Sequence, residues 1–112
     1  MLTHVSPTDL AFEPAEDLAG VTIAMLREDP DTGGFEALIR FEPGAVIPAH
    51  THTHADEAIF VVEGDFIVDG TAHATGAYFY APKGVVHGPV TSEGGCTIFV
   101  RFTDEFDYVP AD

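Results

Sequence analysis

The segment from His50 to Glu57 contains the side chains of this sequence that are best suited to chemistry. In an extended strand the side chains of residues i and i+2 project from the same face, so His50 and His52 point into the same space. Glu57 stands at the start of an apolar run, where a lone buried carboxylate is costly unless it meets a cation or good hydrogen-bond donors. A metal ion held by the two imidazoles supplies that cation.

A third imidazole, that of His87, follows a second segment bounded by turn residues, with Gly76 at its start and Pro82 and Gly84 near its end. Three imidazoles and one carboxylate suit a borderline divalent ion of the first transition row. Four such ligands leave two positions of an octahedron open, where a substrate can bind. We therefore predict one divalent transition-metal ion held by His50, His52, Glu57 and His87.

Short apolar segments separated by turn residues must position these ligands. The sequence has no long stretch with helical periodicity, whereas Val21 to Arg27 and Phe35 to Phe41 flank a dense turn cluster and predict a β-hairpin. Strands recur about every 8–12 residues, which is typical of an all-β sandwich or barrel. The further predicted strands are Ala58 to Val62, Phe66 to Val68, Ala77 to Ala81 and Thr97 to Phe102.

The composition is that of a folded domain with a strongly acidic surface. Of 112 residues, 46% are hydrophobic and 9 are Phe, which is enough apolar material for one core but not two. Lys and Arg number 4 against 19 Asp and Glu, a formal net charge of -15 that argues against nucleic acid and anionic membranes as partners. We predict an N-terminal arm over residues 1–20, either packed or frayed, and a single barrel domain over residues 21–112.

Other features bear on compartment and assembly. Cys96 is the one cysteine, so no intrachain disulfide can form, and residues 1–17 lack the basic start and apolar run of a signal peptide. No window approaches the about 20 apolar residues of a membrane span. We expect a cytoplasmic protein that takes a small-molecule substrate. The run from Ile59 to Val62 is apolar on both faces, which favours a homodimer.

The predicted ligands fall on the two motifs of the cupin superfamily, which this sequence resembles from Gly44 to Thr91. Thr91 stands where the second motif of the family has an Asn, a difference that concerns local packing more than metal binding. The resemblance implies an all-β jelly-roll barrel, the cupin double-stranded β-helix. The matching residues are Gly44, His50, His52, Glu57 and Gly64 in the first motif, and Gly76, Pro82, Gly84 and His87 in the second.

Within the superfamily the sequence resembles the branch that holds the cupin domain of ChrR-type anti-sigma factors and small dioxygenases that cleave diketones or hydroxyacetophenones. Those anti-sigma factors carry an additional N-terminal domain, for which 112 residues leave no room, so we expect a stand-alone cupin. The resemblance implies a non-haem dioxygenase in which Fe(II) is the favoured metal and Mn, Ni and Zn are alternatives. Two other functions stay open: a zinc-binding sensor without turnover, and a redox-neutral isomerase, lyase or cyclase.

Residues outside the motifs have less specific expectations. His54 lies two residues after His52, so it is interpreted as a proton shuttle beside the ligands, an exposed side chain or a substitute ligand. Phe60, Tyr80 and Phe99 are candidates for an apolar, aromatic substrate pocket. Surface positions are expected for His73, Arg40 and Arg101, and a buried position for Cys96.

Overall fold

The computed structural model describes residues 1–111, and in this part of the chain regular structure is almost entirely β. A single turn of 3₁₀ helix, Pro7–Asp9, precedes the strands. The predicted all-β fold is confirmed. The strands are β1 Glu13–Pro14, β2 Val21–Glu28, β3 Phe35–Phe41, β4 Val46–Ile47, β5 His50–Thr51, β6 Glu57–Gly64, β7 Phe66–Val68, β8 Thr71–His73, β9 Tyr78–Ala81, β10 Val90–Thr91, β11 Cys96–Phe102 and β12 Val109–Pro110.

The described strands form three antiparallel sheets. The largest has the order β1-β2-β3-β11-β6-β9, the second has the order β4-β10-β7-β8, and β12 pairs with β5 alone. Neighbours in each sheet are often distant along the chain, as β3 and β11 are, which is the crossover pattern of a jelly roll. This architecture is the cupin barrel that the sequence motifs imply.

The hairpin of β2 and β3 forms where the turn cluster predicts it. The amide of Gly33 donates to the carbonyl of Asp29 at 2.8 Å, and the amide of Asp29 donates to the carbonyl of Gly34 at the same distance. Gly33 has a φ of +81°, a conformation that side chains other than Gly rarely adopt. At Gly34 a Cβ atom would lie 2.3 Å from the carbonyl oxygen of Phe102, so close packing against β11 requires Gly there.

Alternation along β6 sets which side chains enter the barrel. Glu57, Ile59 and Val61 are buried, whereas Phe60 and Val62 are exposed. Period-two alternation places the three buried residues on one face, so the glutamate shares the inner face with two core residues. The same strand therefore builds the core and carries a predicted metal ligand into it.

The N-terminal segment packs on the barrel over part of its length. Glu13 and Pro14 pair with β2, and Leu18 packs against the core. The guanidinium of Arg40 lies 3.9 Å from the centroid of the Phe12 ring, in cation–π contact. Within residues 1–111 no helix has the length and apolar character needed to cross a membrane.

Candidate metal centre

Two short elements and the head of a strand bring the predicted ligands together. His50 begins β5 and forms a backbone bridge with His87, with reciprocal N–O distances of 3.0 Å. His52 follows β5 directly, and Glu57 begins β6. One ligand atom from each of these four residues lies within 4.8 Å of the ligand atoms of the others. Residues separated by up to 37 positions in the sequence thus form one compact cluster.

Backbone carbonyls orient all three imidazole rings. A carbonyl oxygen can only accept a hydrogen bond, so each Nδ1 that contacts one carries the proton. In the neutral ring Nε2 then carries the lone pair, and this is the form that binds a metal ion. The Nδ1 pairs are His50 with the carbonyl of Pro48 at 2.7 Å, His52 with that of Asp107 at 2.6 Å and His87 with that of Val85 at 3.2 Å.

The Nε2 atom of His52 is buried and has no hydrogen-bond partner in residues 1–111. It lies 3.2 Å from Oε1 of Glu57, but the contact lacks the geometry of a hydrogen bond. Buried polar atoms are nearly always paired, so an unpaired nitrogen at this point needs an explanation. A divalent ion held between the imidazole nitrogens and the carboxylate gives one, and the donor set of three His and one Glu suits such an ion.

The carboxylate of Glu57 also governs protonation in the cluster. Burial raises its pKa, but contacts with the His52 and His87 rings outweigh that effect and leave the pKa below its ordinary value. At His87, burial lowers the pKa while the contact of Nε2 with Glu57, at 3.1 Å, raises it, and the net shift is upward. Burial lowers the pKa of His50. The carboxylate is therefore held ionised, as a metal ligand must be.

A cavity of about 250 Å³ adjoins the four clustered residues. Its other walls are apolar or aromatic, and among residues 1–111 no Lys, Arg or Asp lines it. Met25 and Phe106 are both about half exposed, so the cavity opens towards solvent beside them. The lining residues are Leu18, Val21, Ile23, Met25, Phe35, Ile39, Ile47, His50, His52, Glu57, Ile59, Phe66, His87, Val90, Ile98, Phe102, Phe106 and Tyr108.

The C-terminal segment contributes site residues that the sequence analysis missed. Phe106 and Tyr108 line the cavity, and the carbonyl of Asp107 accepts a hydrogen bond from His52. The Tyr108 ring stacks on the His50 ring with a centroid distance of 4.6 Å. The sequence does contain a signal for them, because two aromatic residues lie four and six positions after the last predicted strand, and a fully exposed tail has no need of large apolar side chains.

None of the three aromatic residues predicted to bind substrate lines this cavity. For Phe60 and Phe99, which lie on the outer face, this corrects the prediction. Phe60 is exposed on the outer face of β6, and Phe99 is its cross-strand partner on β11 and shares that face. Tyr80 pairs with Ala58 on the same outer face and lines a second pocket of about 130 Å³, which His87 also lines. The hydroxyl of Tyr80 donates to the carboxylate of Asp56 at 2.5 Å.

The structure also places His54 away from the cavity. Strand β5 ends at Thr51, so the alternation that would carry His54 to the same face as His52 does not continue. His54 is exposed, belongs neither to the cavity lining nor to the cluster, and is therefore not positioned as a proton shuttle. Of the three interpretations of this residue, the exposed side chain agrees with the structure.

The remaining predicted residues take mainly structural positions. Cys96 is buried as expected, and burial raises the pKa of its thiol. Thr91, the departure from the motif, donates its hydroxyl to the carbonyl of Ala45 at 2.6 Å and so ties β10 to the chain before β4. His73 is half-buried with its ring against that of Phe79, which corrects the expected surface position. The Arg101 guanidinium lies 3.8 Å from the Glu36 carboxylate on the surface.

The barrel and the cluster of three His and one Glu define the class of this protein as a cupin with a candidate metal site. The chain belongs to the ChrR Cupin-like domain family, whose model matches residues 2–104. None of the curated proteins is detectably similar to it in sequence.

Solved structures of the same fold include enzymes of different kinds. An acetylacetone dioxygenase from Acinetobacter johnsonii superposes with a TM-score of 0.74 at 18% identity, over 91% of this chain and 72% of that chain. The polyketide cyclase RemF from Streptomyces resistomycificus superposes with a TM-score of 0.80 at 22% identity, over 100% of this chain and 87% of that chain. KdgF from Halomonas sp. superposes with a TM-score of 0.78 at 22% identity, over 100% of this chain and 97% of that chain. At these identities the likeness establishes the fold.

Proposed function

We propose that this chain is a metal-dependent cupin enzyme, a non-haem dioxygenase that holds Fe(II) at His50, His52, Glu57 and His87 and acts on a small substrate that chelates through oxygen. The observation that carries the proposal is the unpartnered, buried Nε2 of His52, which faces a carboxylate beside an apolar cavity. The acetylacetone dioxygenase among the structures of the same fold is consistent with this chemistry.

The residues of the chain prepare the site in three ways. The backbone carbonyls fix the imidazole tautomers, and the Glu57 carboxylate offsets part of the charge of the ion. The apolar walls keep water from competing with the substrate. When bound, the metal supplies Lewis acidity, a template for an oxygen-chelating substrate and, as iron, reactivity with dioxygen.

The cavity favours a neutral substrate such as a β-diketone or a hydroxylated aromatic ketone. No Lys or Arg lines the cavity, so an anionic group would find no cationic side chain there and would be neutralised only by the ion. In the proposed reaction one carbon–carbon bond of a β-diketone breaks and both atoms of dioxygen enter the products. The products are one carboxylic acid and one 1,2-dicarbonyl compound, which balances atoms and electrons without a further reductant.

The test is oxygen consumption by protein loaded anaerobically with Fe(II) and given a panel of β-diketones and hydroxyacetophenones. We expect uptake with at least one compound, with one dioxygen consumed per substrate cleaved. The variant His87→Ala should lose this activity, and His54→Ala, an exposed histidine of the same segment, should keep it. Uptake no greater than that of metal-free protein for every compound would contradict the proposal.

A zinc-binding sensor without turnover is the second candidate, and the match to the ChrR Cupin-like domain family favours it. The same four side chains suit zinc as well as iron. Metal analysis of protein purified without chelators separates the candidates. Iron or manganese supports the dioxygenase, whereas tightly held zinc together with no turnover supports the sensor.

A redox-neutral enzyme is a third candidate, consistent with the polyketide cyclase of the same fold. An isomerase, lyase or cyclase would use the Lewis acidity of the ion but no dioxygen. Turnover of a substrate at the same rate under strictly anaerobic conditions would identify this class and exclude the dioxygenase.

A further inference from the structure

The last described part of the chain, residues 106–111, forms a segment that we call the C-terminal strap. Its strand β12 pairs with β5, so that Val109 lies opposite Thr51 and Pro110 lies opposite His50. The family match ends at residue 104, before the strap begins. The strap is therefore a part of the site that the cupin motifs do not describe.

Contacts outside the pairing of β12 with β5 fix the backbone on both sides of the ligand segment. The amide of Ala111 donates to the carbonyl of Ala49 at 3.0 Å, just before His50. The amide of Thr53 donates to the carboxylate of Asp107 at 2.7 Å, just after His52. The backbone that carries two of the three histidines is thus held from residue 49 to residue 53 by the strap.

The strap also contacts both imidazole rings directly. The carbonyl of Asp107 accepts the Nδ1 proton of His52 at 2.6 Å, which fixes the tautomer and the tilt of that ring. The Tyr108 ring stacks on the His50 ring at an interplanar angle of 25°. Neither ring can rotate freely while the strap is seated.

We propose that the C-terminal strap positions the metal ligands, with Tyr108 and the backbone of Asp107 as positioning groups that hold the His50 and His52 rings ready for the ion. This inference rests on the metal site of the proposed function, though not on the reaction. Because the seated strap favours the binding geometry, metal binding must in turn favour the seated strap, by thermodynamic linkage. Metal affinity and strap order are therefore coupled.

Substitution of Tyr108 tests the coupling, with Co²⁺ as the probe ion. Losing an outer partner of a metal ligand typically weakens binding by about 10–100-fold, so Tyr108→Ala should raise the Co²⁺ dissociation constant by at least about tenfold. Tyr108→Phe keeps the stacking ring and should bind as the wild type does. Tyr78→Ala, which removes an exposed tyrosine of the outer face, is the matched control and should leave the constant unchanged.

Hydrogen exchange of the wild-type protein gives a second, independent measurement. We expect Co²⁺ to slow amide exchange in the peptide that spans residues 106–111, because the Ala111 amide is protected only while the strap is seated. Equal affinity of Tyr108→Ala and Tyr78→Ala for Co²⁺ would overturn the proposal. If Tyr108→Ala does not fold, unchanged exchange of the strap on adding Co²⁺ to the wild type would overturn it.

The outcomes also separate this proposal from the proposed function. A wild-type protein that binds no divalent ion contradicts the metal site itself, and with it both proposals. A wild-type protein that binds Co²⁺ tightly, with Tyr108→Ala binding equally well, contradicts only the strap. Absence of oxygen uptake has no bearing on the strap, since every measurement here is of binding and exchange.

Discussion

The tautomer of each imidazole ring is set by a backbone carbonyl rather than by another side chain. Pro48 and Val85 supply two of these carbonyls from within two residues of the ligand, and Asp107 supplies the third from a distant part of the chain. A carbonyl stays in place whatever the side chain of its residue is. The tautomers are therefore insensitive to the side chains at positions 48, 85 and 107 and depend on the path of the backbone.

We predict that His87→Ala abolishes tight metal binding. Since the loss of an outer partner alone costs about 10–100-fold in affinity, removal of a direct ligand should cost more than about 100-fold. Metal content per chain, measured after dialysis against a weak chelator, checks this. The exposed His54 makes His54→Ala the control, which should keep its metal. Full occupancy in His87→Ala would remove that residue from the ligand set.

The grouping of the four clustered residues could be predicted from the sequence, whereas the aromatic lining could not. Two histidines at i and i+2 of an extended segment share a face, and a carboxylate at the head of an apolar strand needs a cation, so local rules suffice for these three residues. The spacing of the second cupin motif adds His87. The prediction that Phe60 binds substrate rests on its residue type alone. With Glu57 pointing inwards, alternation along β6 places Phe60 outwards, as the structure confirms. Alternation along β6 therefore predicts which face Phe60 lies on, whereas its aromatic residue type does not.

At the scale of elements, the pairing between strands explains why Phe99 and Tyr80 lie outside the main cavity as Phe60 does. Phe99 lies opposite Phe60, and Tyr80 lies opposite Ala58, so both residues share the outer face of β6. Register between strands depends on turns and on a bulge near Thr97 and Ile98, which a single sequence does not reveal. The strap was missed for a related reason, because the pairing of Val109 with Thr51 joins residues 58 positions apart.

Two motif glycines allow a test of what fixes the end of β6. Gly44 and Gly64 have φ values of +84° and +88°, so replacement by Ala strains the backbone at both, at a cost of about 1–2 kcal/mol each. A Cβ at Gly44 meets nothing within 4 Å, whereas one at Gly64 lies 2.3 Å from the carbonyl oxygen of Gly95. We predict that Gly64→Ala lowers the free energy of unfolding by about 1–3 kcal/mol more than Gly44→Ala.

Urea denaturation of both glycine variants checks this difference. Gly44→Ala is the matched control, because it shares the backbone strain without the steric contact. Equal losses for the two variants would mean that the barrel relaxes around the new methyl group and that the close approach of the turn does not matter.

We predict that Asp65, which lies between β6 and β7, makes the stability of the folded protein depend on pH. Its carboxylate accepts hydrogen bonds from the amides of Glu93 and Gly94 and from the hydroxyl of Ser92, at 2.8–3.1 Å. The bond from the Glu93 amide is the largest cause of a pKa below the ordinary 3.8. Because the pKa is depressed in the folded state, the stabilisation is present above 3.8 and is lost as the pH falls through the folded value.

Melting temperatures measured from pH 6 down to pH 2.5 check this prediction. We expect the melting temperature of the wild type to fall more steeply below about pH 4 than that of Asp65→Asn, whose amide does not titrate. Asp31→Asn, an exposed change in the turn between β2 and β3, is the control and should follow the wild type. Parallel curves for the wild type and Asp65→Asn would show that the carboxylate contributes no pH-dependent stability.

At the scale of the whole molecule, the net charge and the cavity lining both disfavour an anionic ligand. A formal net charge of -15 repels anions from the surface, and the cavity offers an anion no Lys or Arg. The same charge distribution attracts divalent cations towards the site. A cation with a neutral organic ligand is therefore the pair of occupants that this molecule is best suited to accept.

We predict that a second copy of the chain covers the outer face of β6, β9 and β11. Phe60 and Tyr78 lie opposite each other on this face, 43% and 62% exposed, and Val62 and Tyr80 enlarge the patch. Contiguous exposed apolar patches mark association surfaces. Since two copies of charge -15 repel each other, salt should screen the repulsion and tighten the dimer.

Light scattering coupled to size-exclusion chromatography, at low and at high salt, checks the dimer. We expect a mass of twice 12.0 kDa that persists to lower protein concentration as salt rises. Phe60→Asp places a charge at the centre of the patch and should give a monomer, because desolvating an unpaired carboxylate is costly. Val46→Asp alters a comparably exposed residue of the other sheet and should stay dimeric. A mass of 12.0 kDa under all conditions would contradict the prediction, and so would equal dissociation of both variants.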